Sequence, residues 1–105
     1  MVGVLQNGDG PVVLLRTDMD ALPVKEKTAL NFASTKKVKN KNGEETPVMH
    51  ACGHDIHMSV WSGTINTLVA LKDGWNGTLI AFAQQAEEVS GGAGEAIDAG
   101  LFDKF

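Results

Sequence analysis

Hydrophobic positions along the 105-residue chain fall into four blocks separated by turn chemistry. Val2–Gln6 is a short β-favouring run, Asn7-Gly8-Asp9-Gly10 is dense in turn formers, and Pro11 leads into Val12–Leu15. That order predicts two strands joined as a hairpin. Val12-Val13-Leu14-Leu15 is continuously apolar, which suits a strand buried on both faces of a largely parallel sheet covered by helices. From Ala21 to Met49 the pattern weakens, with Pro23 and Pro47 at the margins, and predicts a long excursion with a short strand near Asn31–Ala33. Asp55–Leu71 predicts the main helix. Met58, Trp61, Ile65, Leu68 and Leu71 recur at intervals of 3, 4, 3 and 3 and so share one face, and Gly53 and Gly74 mark its ends. Thr78–Ala83 is a further β-branched and aromatic run, after which Gly91-Gly92-Ala93-Gly94 admits a short helix over Glu95–Ala99.

The result is strand, helix, strand, helix: an α/β chain with acidic residues at the C-terminal ends of both main strands. In open α/β sheets that edge binds ligands, because the loops leaving it converge over a crevice. Fold alone assigns no chemistry.

Composition narrows the classes of function. A net charge of −4 argues against a polyanion-binding surface, which needs clustered Lys and Arg. The charge is uneven: residues 1–50 carry seven basic and six acidic groups, residues 51–105 two and seven. Four of the nine basic residues lie within Lys36–Lys41, beside the turn formers Asn40, Asn42 and Gly43. No aromatic residue interleaves with them, so the run reads as a solvated loop. A hydrophobic fraction of 43% is that of a globular chain. No stretch approaches the roughly 18–20 apolar residues of a membrane span, and Met1–Gly10 lacks a signal peptide's charged start and apolar core. Cys52 is the single cysteine, which excludes an intrachain disulfide and leans the chain towards the cytoplasm. The length suits one domain.

Three clusters carry possible chemistry: Asp18 with Asp20, His50 through His57, and Glu87 with Glu88. An acidic pair after a strand is commonly a cap, and a lone histidine is commonly structural. In His50-Ala51-Cys52-Gly53-His54-Asp55-Ile56-His57, thiolate sulfur and imidazole nitrogen are the preferred donors for a borderline-soft cation such as zinc. Gly53 permits a turn that aims Cys52 and His54 at one point. A helix starting near Asp55 presents N–H groups that favour an ionised Cys52. His54 and His57 are three apart, which does not match the HExxH helix of zinc proteases. Cys52 therefore has three readings: metal ligand, nucleophile paired with a histidine, or inert buried thiol. Glu87 and Glu88 at a strand end would point in different directions, one towards a metal and the other towards a reacting water.

Leu15-Arg16-Thr17-Asp18-Met19-Asp20-Ala21-Leu22-Pro23, Met49-His50-Ala51-Cys52-Gly53-His54-Asp55 and Gln84-Gln85-Ala86-Glu87-Glu88 follow one another in that order. Together they resemble the metal-dependent amidohydrolase and carboxypeptidase family that includes hippurate hydrolase, bacterial aminoacylases and auxin-conjugate hydrolases. The similarity runs through essentially the whole chain. It implies part of a three-layer αβα domain with a mainly parallel central sheet, and a site for two divalent metal ions, zinc or manganese. By matching positions it implies Cys52, His54 and Glu88 as metal ligands, Glu87 as general base and Asp18 as an orienting acid behind the metals. His50, Asp55 and His57 belong to the motif without being ligands. The implied reaction is hydrolysis of the amide bond of an N-acyl amino acid or similar conjugate by metal-activated water. The implied partners are that small-molecule substrate and, for the parent protein, a second copy in a homodimer.

The chain also departs from the family pattern. Thr17 stands where alanine is usual and Gln85 where proline is usual, a loss that loosens the approach to Glu87. The resemblance covers residues 1–105 as a partial catalytic domain, without the lid and dimerisation domain and without the later histidine ligands. Three donors for two ions leave a second possibility, a non-catalytic truncated metal-binding module.

Overall fold

The computed structural model describes residues 1–105 as a slab 50 × 35 × 15 Å. Its centre is a three-stranded sheet of β1 (Val2–Asn7), β2 (Val12–Asp18) and β5 (Gly77–Gln84), in the order β1-β5-β2. β5 runs parallel to β2 and antiparallel to β1. The opening turn is therefore not a hairpin. Gly8–Pro11 instead carries the chain over the end of β5, two strand spacings of about 4.8 Å, which four residues can span. Glycine is required where the chain crosses: a Cβ on Gly77, at φ 128°, would meet the Pro11 carbonyl, and one on Gly10 would meet the Asn76 backbone.

β5 is the doubly covered strand. Leu79 and Ala83 on one side and Ile80 and Phe82 on the other are all buried. β2, expected in that role, lies at the sheet edge, and its Val12 and Val13 are 59% and 55% exposed. A continuous apolar run reports a strand's composition but not its place in the sheet. Helix α1 (His54–Ala70) covers one face, turning Met58, Trp61, Ile65 and Leu68 inward; Leu71 falls beyond its end and is exposed. The Trp61 indole donates to the Leu15 carbonyl at 3.0 Å and ties the helix to the sheet edge. After a single 3-10 turn (Lys72–Gly74) and β5, helices α2 (Gly92–Asp98) and α3 (Leu101–Lys104) complete the chain, with Leu101 buried. α2 begins three residues before the expected Glu95, and α3 is an addition to the expected elements. No helix is long and apolar enough to cross a membrane.

The excursion carries a small exposed hairpin, β3 (Lys37–Lys39) with β4 (Glu45–Pro47), so half of the lysine run is strand. Its turn uses the Asn40 side chain, which accepts from the Asn42 and Glu44 amides at 2.9 and 3.0 Å. The expected strand at Asn31–Ala33 does not form; Asn31 and Phe32 lie in a turn. At the base of the excursion, Leu22 and Met49 exchange backbone hydrogen bonds of 2.8 and 3.1 Å. That bridge closes the loop and delivers His50–His54 beside the end of β2. The parallel register Asp18↔Gln84 brings the C-terminal ends of β2 and β5 side by side, and α1 starts at the same edge.

Candidate metal centre

Gly53, at φ 78°, caps α1 in the left-handed region that glycine adopts without strain, and so turns the chain between Cys52 and His54. Across the edge, the strand ends at Gln84, and a turn rather than strand alternation presents Glu87 and Glu88. Donor atoms of Cys52, His54 and Glu88 lie within 4.8 Å of one another, the chain's one such grouping of three. His54 Nε2 stands 3.6 Å from Glu88 Oε1 and 3.7 Å from Asp18 Oδ1.

Hydrogen bonds decide how these rings face. His50 Nδ1 and His54 Nδ1 lie 2.9 and 3.2 Å from the Asp20 carbonyl oxygen. A carbonyl only accepts, so both rings carry hydrogen on Nδ1, which leaves His54 Nε2 turned towards the cluster. His57 Nδ1 donates to Asp18 Oδ1 at 2.8 Å. Burial alone would raise the Asp18 pKa; the His57 hydrogen bond and the nearby His54 outweigh it and hold the carboxyl below its ordinary value.

Glu87 is not one of these three donors. Its Oε2 accepts from Arg16 Nη2 at 2.7 Å and Gln84 Nε2 at 2.6 Å, and Oε1 has no hydrogen-bond partner. Arg16 also donates to Gln84 Oε1 at 2.7 Å and to Asp18 Oδ2 at 3.1 Å. The register explains the grouping: Arg16 and Asp18 are two apart in β2, Gln84 is paired with Asp18, and all three share one face. The Asp20 carboxylate lies between the two segments and accepts the backbone amides of Ala86 and Glu88 at 2.9 and 3.0 Å.

The donor set suits a divalent cation. A hydrogen bond to Glu88, then the charges of Glu88, Asp18 and Glu87, push the Cys52 thiol above its ordinary pKa. Helix N–H groups are thus not enough to ionise it, contrary to the expectation from the helix start. A divalent cation held among these groups would offset the repulsion and favour the Cys52 thiolate as a ligand. Cys52 is exposed, which removes the buried, inert reading. A hollow of about 600 Å³ lies apart in the excursion between Lys25–Lys27 and Lys36–Lys37 and touches none of these donors.

The sequence pattern that defines Peptidase family M20/M25/M40 matches residues 14–105. The chain belongs to this family. It is 42% identical over 99 residues to an N-acetyldiaminopimelate deacetylase of Limosilactobacillus fermentum, covering 92% of this chain and 23% of that protein. It is 43% identical over 110 residues to a hippurate hydrolase of Campylobacter jejuni, covering 100% and 25%. A solved Bacillus subtilis structure described as a dinuclear metal binding peptidase from the M20 family superimposes with a TM-score of 0.81 at 37% identity, over 95% of this chain and 26% of that one. The M20 chain thus spans about a quarter of the length of these relatives, and the mixed α/β slab is the corresponding part of their fold.

Arg16, Asp20, Gln84 and His57 also belong to this edge, though only Asp20 and His57 fall in the sequence clusters of possible chemistry. The available signal was weak: Asp20 stood in the acidic pair and His57 in the histidine cluster, but nothing local links Arg16 to a glutamate 71 residues away.

Proposed function

We propose that residues 1–105 are the metal-binding part of the catalytic domain of an M20 amidohydrolase, with a lid and dimerisation domain outside them. The substrate class is N-acyl amino acids, the chemistry shared by the names of the two enzymes above. The observation that carries this reading is the convergence of Cys52, His54 and Glu88 from two segments onto one sheet edge. Cys52 Sγ, His54 Nε2 and the Glu88 carboxylate would hold metal, and a thiolate leans the choice towards zinc over manganese. When bound, divalent metal supplies Lewis-acid polarisation of the amide and acidifies a water from its bulk value towards about 7.

The remaining roles fall to the chain itself. Arg16 and Gln84 grip Glu87 by Oε2 and leave Oε1 open to accept a proton from water and return it to the leaving amine. Water and amide thereby become carboxylate and amine with protons balanced. Asp18, bonded to His57 and 3.7 Å from His54 Nε2, keeps negative charge beside the donor atom of the ligand ring. The parent would work as a homodimer in the cytoplasm, where an exposed free thiol persists.

Two measurements test the reading. Elemental analysis of the chain is expected to find bound zinc or manganese, lost on Cys52→Ser. In the protein carrying the complete site, Glu87→Gln is expected to lower kcat for N-acyl amino acids by roughly 10²–10⁴-fold with metal content intact. Unchanged turnover would remove Glu87 from the base role; metal in the chain with no turnover in any longer form would favour the non-catalytic metal-binding module.

A further inference from the structure

Asp20 touches both halves of the donor cluster through different atoms. Its backbone carbonyl sets the Nδ1 side of His50 and His54, while its carboxylate reaches across the edge to the Ala86 and Glu88 amides, with Oδ1 and Oδ2 each accepting one. The turn so held is not one its sequence favours. Ala86 has φ 56°, in the left-handed region that disfavours a residue with a Cβ, and no glycine stands between Gln84 and Ser90. Something outside the turn must therefore keep it in place. The other holds on Ala86 are amides of Gly91 and Gly92 on its carbonyl at 3.1 and 3.4 Å. These close the turn upon itself and do not fix it relative to His54.

We propose that Asp20 is a positioning residue: by accepting the Ala86 and Glu88 amides it sets the distance between the Glu88 carboxylate and the Cys52–His54 pair. The inference rests on the reading of Glu88 as a ligand. Two amide–carboxylate bonds are stronger than neutral ones, and their acceptor sits one residue past the peptide that leads out of β2. Displacing the turn leaves all three donors present but too widely spaced to share one ion. Residues that orient ligands in this way typically account for a 10–100-fold share of metal affinity.

The test uses the 105-residue chain titrated with Co²⁺ alone, following the sulfur-to-cobalt absorption band and the dissociation constant. Asp20→Asn keeps the shape but offers one acceptor oxygen in place of two, and is expected to weaken Co²⁺ by about 10–100-fold with the sulfur band retained at saturation. Because Asp20 acts through Glu88, the loss is expected to shrink to within about threefold when Asp20→Asn is made on a Glu88→Gln background. A full, additive loss there would overturn the proposal, as would wild-type affinity in Asp20→Asn while Glu88→Gln binds weakly. If Glu88→Gln itself binds as the wild type does, the ligand reading fails first, and the two failures are told apart. Should Asp20→Asn not fold, amide exchange on the unmodified chain decides: the Ala86 and Glu88 N–H groups are expected to be protected, and exchange at open-loop rates would overturn the clamp.

Discussion

Replacing Arg16 by methionine removes one guanidinium and three hydrogen bonds while keeping an unbranched side chain in β2. The cost can be worked bond by bond. The pair with Glu87 joins side chains 36% and 43% exposed, so solvent screening reduces it to about 0.5–1 kcal/mol. The bond to Asp18 involves a carboxylate whose side chain is 9% exposed and is worth about 1–2 kcal/mol. The Gln84 carbonyl, in a buried residue, would lose its guanidinium partner for about 1 kcal/mol more. A loss of roughly 2.5–4 kcal/mol follows, a large part of the ~5–15 kcal/mol that stabilises a typical domain. Urea unfolding at pH 7 reads it as a midpoint lowered by about 2–3 M at a slope near 1–1.5 kcal/mol/M. Arg16→Lys supplies the control: it keeps charge but not the planar fork and should recover less than half of the loss. A change below about 0.5 kcal/mol in Arg16→Met would show that the grip on Glu87 and Gln84 is surface decoration.

The other predictions concern elements that frame the same edge. In the metal-free chain the Asp18 pKa is lowered in the folded state, so its stabilisation is present above the ordinary value of 3.8 and disappears as pH falls through the lowered one. Urea midpoints against pH should therefore fall more steeply for the wild type than for Asp18→Asn on the acid side of that value, and parallel curves would contradict the assignment. Gly92→Ala places a Cβ against the backbone carbonyl of Gln85, which cannot swing aside as a side chain could. A cost of ~1–3 kcal/mol, or a Tm lowered by roughly 5–20 °C, is expected by calorimetry, and an unchanged Tm would mean that α2 does not pack there. Trp61→Phe removes the indole donor to Leu15 and should cost about 0.5–1.5 kcal/mol in urea unfolding. A neutral result would mean that water replaces the bond at the sheet edge.

Much of the architecture was legible because its signals are local. The helical spacing of Met58, Trp61, Ile65 and Leu68 reports one turn of backbone at a time, and those residues do face the sheet. The β5 run was equally clear. What could not be read was order within the sheet. The turn chemistry of Asn7–Gly10 satisfies a tight hairpin and a crossing over a third strand alike, and the strand that enters between β1 and β2 begins at Gly77, nearly sixty residues after β2 ends. In the same way, Val12–Leu15 is apolar enough for a central strand but occupies an edge, since position depends on what pairs from elsewhere.

The candidate centre divides along the same line. Cys52, His54 and Glu88 were nameable because their motifs match a family pattern position by position, whereas thiol, imidazole and carboxylate chemistry alone left Cys52 with three readings. Arg16 and Asp20 were not, because an arginine in a strand and an aspartate after it are ordinary until the register Asp18↔Gln84 sets the two strand ends abreast. The acidic pair shows the limit most sharply. Asp18 and Asp20 are two apart, which on a continuing strand would aim both carboxylates the same way. β2 ends at Asp18, however, so the alternation stops there: Asp18 turns to His57 and Arg16, and Asp20 turns to the amides of Ala86 and Glu88. One sequence pattern thus serves two separate duties, and the end of a strand, a feature set by pairing with β5, is what separates them.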